Sequence, residues 1–358
     1  MKKMIFIVMA ISISIITFAQ EKGVAIQDVE RIPMGDGTYT FRYSSGEKKH
    51  LEGKQRLILG RNEYLEAEFT NGLPTGIWEV YSNNKILEKS NYNKEGRRDG
   101  KQIIYMSDGE TISEESYVKN GKIDGRYVKY YADGKIEKEQ EYKEGVEDGI
   151  YRTYDKEGNI LFDCQYKAGK EHGKQTKVYS SYTEISFFEN GKHVGEYTKT
   201  LKNGIVEING AYDKEGKKTG VWITRRKDDG ITKSEESYKA GVLDGISKEF
   251  FTDGSVSKTT AYVNGKKNGP TISYDFSTGN IISEYSFVDN LREGPYKQYR
   301  YSQGDGKSLR NEGIYKKDKE ISRKEYHENG KLRAVKEDKG KGMETLESYD
   351  EKGKLIKK

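Results

Sequence analysis

The sequence predicts an all-β protein: an elongated antiparallel meander of about ten β-hairpin repeats of 22–25 residues, laid out as a single-layer or weakly curled sheet. Three observations carry this. The first is a glycine beat. The second glycine of a G-x-x-x-G pair recurs at Gly76, Gly100, Gly125, Gly149, Gly173, Gly195, Gly220, Gly245 and Gly269, and Gly294 keeps the beat with Asn290 in the first place; self-similarity at such a period marks a repeat architecture. The second is that each unit closes on an aromatic residue, among them Phe69, Tyr92, Tyr117, Tyr142, Tyr166, Phe188 and Tyr212. The third is alternation. Ile136, Lys138, Gln140 and Tyr142 fall on one side of an extended chain, with Glu137, Glu139 and Glu141 on the other.

The same parity recurs in Ile160, Phe162, Cys164 and Tyr166. A segment such as "KIEKEQEY" contains good helix formers, but glycines interrupt it too often, and helices so short are marginal in water. The second turn of each unit is often Asp-Gly or Asn-Gly, as at Asp108-Gly109, Asp133-Gly134, Asn203-Gly204, Asp229-Gly230 and Asp253-Gly254. These pairs predict tight hairpin turns in which both central residues take positive φ. Units of this kind contact mainly their sequence neighbours, so a few tyrosines and branched residues hold each to the next without a thick core.

Composition agrees. Only 33% of residues are hydrophobic and 34% are charged, yet aromatics reach 11% and the net charge is only +5, which argues against general disorder. Lys and Glu alternate along the chain instead of gathering into a basic stripe, so no nucleic acid is expected as a partner. One cysteine, Cys164, permits no internal disulfide.

The N-terminus carries an export signal. Lys2 and Lys3 precede an uncharged run from Met4 to Phe18, and small residues at Thr17 and Ala19 place a cleavage site after Ala19. The run is shorter than the roughly 20 residues a membrane-spanning helix needs, and no later stretch is apolar enough, so no membrane span is expected in the mature chain. Loss of Lys2 and Lys3 takes the net charge from +5 to +3. The organisation expected is a signal peptide at 1–19, a strand-rich N-terminal cap at 20–60, the repeat array at 61–300, and degenerate repeats with a C-terminal cap at 301–358. Localisation follows: periplasm, cell surface or secreted.

The segment Y-x-x-N-G-x-x-D-G-x-Y-x-x-Y from Tyr117 to Tyr130 repeats from Tyr142 to Tyr154 with one residue fewer before its first glycine. This pattern resembles the MORN-repeat variant found in bacterial proteins labelled YwqK-type antitoxins, over roughly residues 60 to 335. The resemblance implies stacked β-hairpins, a scaffolding role, and, through the label, an antitoxin or immunity-type role neutralising a toxin.

Chemistry is hard to place. In "QGDGKSL" a phosphate loop would need glycine five positions before Gly306-Lys307-Ser308, where Tyr301 stands. His172 and His193 lie about one period apart and read as water-facing turn residues, too few for a metal site. Asp99, Asp124, Asp148 and Asp244 each precede a repeat glycine, where Asp suits the backbone of a turn. Cys164 reads as a small buried residue beside Phe162 and Tyr166. No catalytic, cofactor or metal residue is predicted, and no cofactor.

The aromatics are the candidate binding surface. Two and five residues after the repeat glycines stand Trp78 and Tyr81, Tyr127 and Tyr130, Tyr151 and Tyr154, and Tyr296 and Tyr299. Trp222 and Tyr197 hold the first place alone, and Tyr105 and Phe250 the second. The two offsets differ in parity, so one ring set packs one face of the sheet while the other faces outward. Tyr and Trp dominate binding hot spots. The function expected is an exported, non-enzymatic repeat protein that scaffolds protein partners through an extended β surface. Binding of cell-wall or surface polysaccharide, or of a toxin, are the alternatives.

Overall fold

The computed structural model describes residues 23–302 and 306–357; the export segment expected at 1–19 and the first residues of the N-terminal cap lie outside them. The described chain is almost wholly β-strand. It divides into two compact units, the first ending at Val146 and the second starting at Glu147.

In the first unit, Gly53–Gly60, Glu63–Thr70, Leu73–Ser82, Lys85–Tyr92, Gly100–Tyr105, Ile112–Lys119, Lys122–Tyr130 and Ile136–Lys143 pair antiparallel in chain order. Val24–Ala25 lies parallel to Gly53–Gly60, with Val24 opposite Leu57, and occupies the edge that strand would otherwise expose. Val29–Pro33 and Tyr39–Tyr43 form a separate hairpin. Phe41 and Tyr43 from that hairpin pack on a buried cluster of Leu51, Leu57, Leu65, Ala67 and Phe69. The rings of Phe41 and Phe69 meet edge to face at 5.4 Å. Each such side chain contributes roughly 1.5–3 kcal/mol on burial, so this end has a conventional two-layer core.

In the second unit each strand from Ile160–Lys167 to Leu355–Lys357 pairs antiparallel with its successor, except that the short Val242–Leu243 and the following Gly245–Phe250 both pair with Thr232–Lys239. The drift in spacing after Gly294 corresponds to a longer hairpin, Leu291–Ser302 with Gly306–Lys316, after which short strands resume.

Two turn assignments are corrected. The tight two-residue turns with both central φ positive fall at the first glycine of most pairs, as at Asn120 (50°) with Gly121 (80°) and Asn264 (49°) with Gly265 (80°), but not at Gly96 or Gly216, where only the glycine is positive. At Asp108-Gly109 and Asp133-Gly134 only the glycine has positive φ. There Gly134 N–H bonds Tyr131 O at 3.0 Å, and the Asp133 carboxylate accepts from Lys135 N–H at 3.1 Å. The aspartate folds its own backbone into a longer turn, so it need not enter the left-handed region.

The repeat-marking glycines, read as turn glycines, lie within strands or at their first residue. Gly125 sits inside Lys122–Tyr130, where the register jumps between Ile123 and Tyr127. Its φ of 117° bends the strand at a bulge, a conformation costly for any residue with a Cβ. The glycine beat therefore counts bulges.

The aspartates before these glycines reach further than a local turn. Asp99 accepts from Asn120 N–H at 3.0 Å, Asp148 from Ala168 N–H at 3.0 Å, and Asp244 from Asn264 N–H at 3.1 Å. Beside each, the following glycine N–H bonds a carbonyl of the preceding repeat: Gly121 to Arg98, Gly169 to Glu147, Gly265 to Leu243. Turns one repeat apart are thus latched together along the sheet margin.

Candidate functional site

Strand alternation divides the rings as the offsets predict. In each unit one ring set projects from what is here called the packed face, Trp78 and Tyr127 in the first and Tyr151, Tyr197, Trp222 and Tyr296 in the second, and the other set from the opposite, open face, Tyr81, Tyr105 and Tyr130 in the first and Tyr154, Phe250 and Tyr299 in the second. On the packed face each ring stands opposite a small or polar partner across the ladder. Trp78 pairs with Ala67 and Ser90, Tyr127 with Gln140, Tyr151 with Cys164, Tyr197 with Gly210 and Tyr296 with Gly313.

The rings then lie against one another. Trp222 meets Tyr197 at 5.6 Å and Tyr212 at 5.1 Å, and Tyr296 meets Tyr315 at 5.0 Å. Trp222 is 5% exposed and Tyr296 4%, so these two offer a partner almost no ring surface. Trp78, Tyr127 and Tyr151 are half-buried in the same way. Aromatic pairs of this geometry contribute about 0.5–1.5 kcal/mol beyond their buried area. Cys164 is fully buried in this row, with burial pushing its thiol pKa up and Gln175 donating to Sγ at 3.6 Å.

On the open face the rings are half-buried, and several of the tyrosines are tied to carboxylates. Tyr130 donates to Glu115 at 2.9 Å and Tyr299 to Glu284 at 3.0 Å, and Tyr81 to Glu79 at 3.0 Å. Burial, then the bonded carboxylate, pushes each of these phenols up to about 12. Ion pairs run between them: Lys89–Glu79, Lys101–Glu115, Arg126–Glu139 and Arg152–Asp163, at 2.7 to 3.1 Å. Such exposed pairs contribute little each, with a median of about 0–1 kcal/mol. Their effect is to keep this face wet.

One part of the open face differs. The residue directly after the repeat glycine is Val221, Ile246, Pro270 and Pro295 in four consecutive units, and Ile314 stands opposite Pro295. Val221 is 50% exposed, Ile246 46% and Ile314 44%, and both prolines are exposed. Between them lie Ser237, Ala261 and Ser286, opposite Val221, Ile246 and Pro270. They are small because the bulges crowd them: a Cβ on Gly245 would stand 3.0 Å from that of Ser237, and one on Gly269 3.1 Å from that of Ala261. The prolines are tolerated because each follows a bulge glycine. The result is an uncharged, smooth apolar strip in a chain where a third of residues are charged. Reading the position after each repeat glycine down the units would have found it. Tyr274, five residues after Gly269, also belongs to the open-face rings and escaped the sequence reading.

Metal and phosphate chemistry find no support in the geometry. Among the described residues no group of three or more His, Cys, Asp or Glu is placed to hold a metal. His172 and His193 lie in the strands Lys170–Val178 and Lys192–Leu201, so their assignment to water-facing turns is corrected. The His193 ring is sandwiched by Phe188 at 4.2 Å and Tyr212 at 4.9 Å, because strand alternation carries it onto neighbouring aromatics. Asp155 and Asp213 spend their carboxylates on backbone N–H groups of their own turns. Residues 303–305 of the "QGDGKSL" segment lie outside the described residues, and the strands flanking it are an antiparallel pair, where a phosphate loop joins a strand to a helix. No helix among the described residues is long and apolar enough to cross a membrane.

The family described as MORN repeat variant matches residues 123–144, 147–168 and 319–336. Two of these segments span consecutive units, each with its bulge glycine and packed-face tyrosine and each ending on the first residue of a two-residue turn, Glu144 and Ala168. The chain carries MORN-variant repeats. The third segment covers strand Lys319–Tyr326, beyond the drift in spacing. No curated protein matches this MORN-variant sequence. A solved structure similar to part of it is titled "Crystal Structure of TcdB2-TccC3-Cdc42", with 11% identity over 90% of this chain and 23% of that chain, at a TM-score of 0.15. This chain therefore spans less than a quarter of that chain's length, and a score so low carries no structural argument.

Proposed function

We propose that this is an exported, non-enzymatic repeat protein that binds a partner protein through the open face of its second unit. The observation that carries the reading is the strip of Val221, Ile246, Pro270, Pro295 and Ile314, exposed and uncharged on a face otherwise laced with ion pairs. Contiguous exposed apolar surface of this kind marks interaction sites. A regular sheet also presents its side chains with little conformational freedom left to lose on binding. Export is supported by Lys2, Lys3 and the apolar run behind them. The non-enzymatic part rests on sameness: the perturbed tyrosines and ion pairs recur from unit to unit, whereas catalysis wants one preorganised site.

The test is a photo-crosslinking residue introduced at Ile246 in the full chain, expressed in its own cells, with a second at the packed-face position Thr260. Crosslinked partner is expected from Ile246 alone. A Val221→Lys, Pro270→Lys double variant that carries the same crosslinker at Ile246 and melts normally should lose it. Equal recovery of the same partner by the double-lysine protein would remove this strip as the binding surface.

A further inference from the structure

The open-face rings lapse in one place. Five residues after successive repeat glycines stand Tyr154, then Val178, Thr200 and Arg225, then Phe250, Tyr274 and Tyr299. The charged ladder lapses with them. Across paired strands the open-face column reads Thr176, Ile185, Thr198, Asn209 and Ile223, bounded by the ion pairs Arg152–Asp163 and Glu235–Lys248. A depression of about 730 Å³ opens there, lined in part by Ile205, Val206, Asn209, Val221 and Arg225. Val221 is also the first member of the apolar strip.

Arg225 is held in this depression by neutral groups. One guanidinium nitrogen, Nη1, donates to Asn209 Oδ1 at 2.6 Å and to Val206 O at 3.2 Å. Among the described residues no carboxylate pairs with it, whereas Arg152 on the same face holds one. A guanidinium has five donors in a fixed fork. With Nη1 engaged, Nε and Nη2 remain for a carboxylate, which matches that fork with two parallel bonds. The neutral tethers fix the geometry without cancelling the charge. Apolar walls from Ile205, Val206 and Val221 lower the local dielectric and strengthen the attraction. Glu196 lines the same depression, and among the described residues no ion pair neutralises it, so its charge disfavours a segment carrying more than one acid.

We infer that this depression recognises a single Asp or Glu side chain, flanked by apolar residues, on an extended segment of the partner protein, with Arg225 taking the carboxylate. The inference rests on the protein-binding reading above and adds the partner's chemistry to it.

The full chain, immobilised, is panned against a random peptide library, and enriched peptides are synthesised and titrated. Peptides with one acidic residue beside apolar ones are expected. Arg225→Gln should weaken them about tenfold, as should changing their acid to its amide, and the two changes together should add little. Arg225→Lys should restore part of the loss, and melting curves confirm that each variant folds. Peptides that lose binding with Val221→Lys and Ile246→Lys but carry no acid preference and ignore Arg225→Gln overturn the carboxylate site and leave the protein-binding reading standing. Failure to enrich any peptide sensitive to the open-face lysines overturns both.

Discussion

Gly210 lies directly beneath Trp222: a Cβ at Gly210 would stand 2.3 Å from the indole Cδ2. The backbone at Gly210 is not left-handed, so glycine is needed there for space alone. The indole nitrogen donates to the neighbouring Ala211 carbonyl at 3.1 Å, which fixes the ring over the gap. Gly313 also lies under a ring, with a Cβ-to-Tyr296 distance of 2.8 Å, although the Ser322 carbonyl would stand closer still. Small and large residues thus alternate along the packed face, and single-layer packing is possible because each ring has a neighbour's vacancy to fill.

Gly210→Ala should therefore lower stability by about 1–3 kcal/mol, the usual range for overpacking. In a Trp222→Leu background the same alanine should cost much less, because the ring it strikes is gone. Urea unfolding of the four proteins of this cycle measures the coupling, and additive effects would contradict the steric account.

Gly125→Ala tests the bulge. A residue with a Cβ held at a φ near 117° pays roughly 1–3 kcal/mol, while the added methyl meets only the Tyr117 Cβ at 3.4 Å. Strain without a clash predicts faster proteolysis around Lys119 and Lys122 with the rest of the spectrum preserved.

The turn latches predict a local effect. Asp148→Ala removes the acceptor of the Ala168 N–H bond and should cost about 1 kcal/mol, roughly a fivefold rise in local opening. Hydrogen exchange at Ala168 should accelerate, and Asp148→Asn, which keeps an acceptor oxygen, should accelerate it less. Unchanged exchange in the alanine variant would show that the latch does not hold the turn.

Acid should loosen the region around His193. Burial holds its pKa below the ordinary value of 6.5, against weaker opposing effects of Glu171 and Glu184. The unfolded chain takes the proton first as pH falls, so the stabilisation is complete above about 6.5 and declines as pH drops below it towards the folded-state pKa. The drop in melting temperature between pH 7.5 and pH 5.5 should shrink in His193→Phe, whose ring can occupy the slot between Phe188 and Tyr212. An identical drop in the variant would assign the acid sensitivity to other groups.

Cys164 should resist thiol reagents in the folded chain. It is fully buried, and its pKa is raised by burial first, so little thiolate forms near neutral pH. Labelling at the rate of unfolding is expected; rapid labelling of the native protein would mean that the packed row opens.

Much of this was legible in the sequence. The glycine beat, the unit-closing aromatics and the alternation in "KIEKEQEY" specify strands, hairpins and the parity of every ring, because parity depends only on local geometry. The division of Trp78 from Tyr81 and of Tyr296 from Tyr299 followed from counting alone. Turn chemistry was read less well. Asp133-Gly134 and Asn120-Gly121 look alike as dipeptides, yet only the second takes positive φ at both residues, since Asp133 bonds its own downstream backbone.

The sequence by itself determined the repeat, the strands and which side chains share a face. Only the tertiary structure decided which face is full and which is open. That choice depends on cross-strand register: whether a ring lands over Gly210 or Gly313, where Trp222 and Tyr296 are buried, or beside Glu115, where Tyr130 stays half-exposed. It also decided that Val221, Ile246, Pro270 and Pro295 align into one strip and that Arg225 stands where the rings lapse, because residues some 25 apart in the chain become neighbours only when bulges of equal size keep successive hairpins in step.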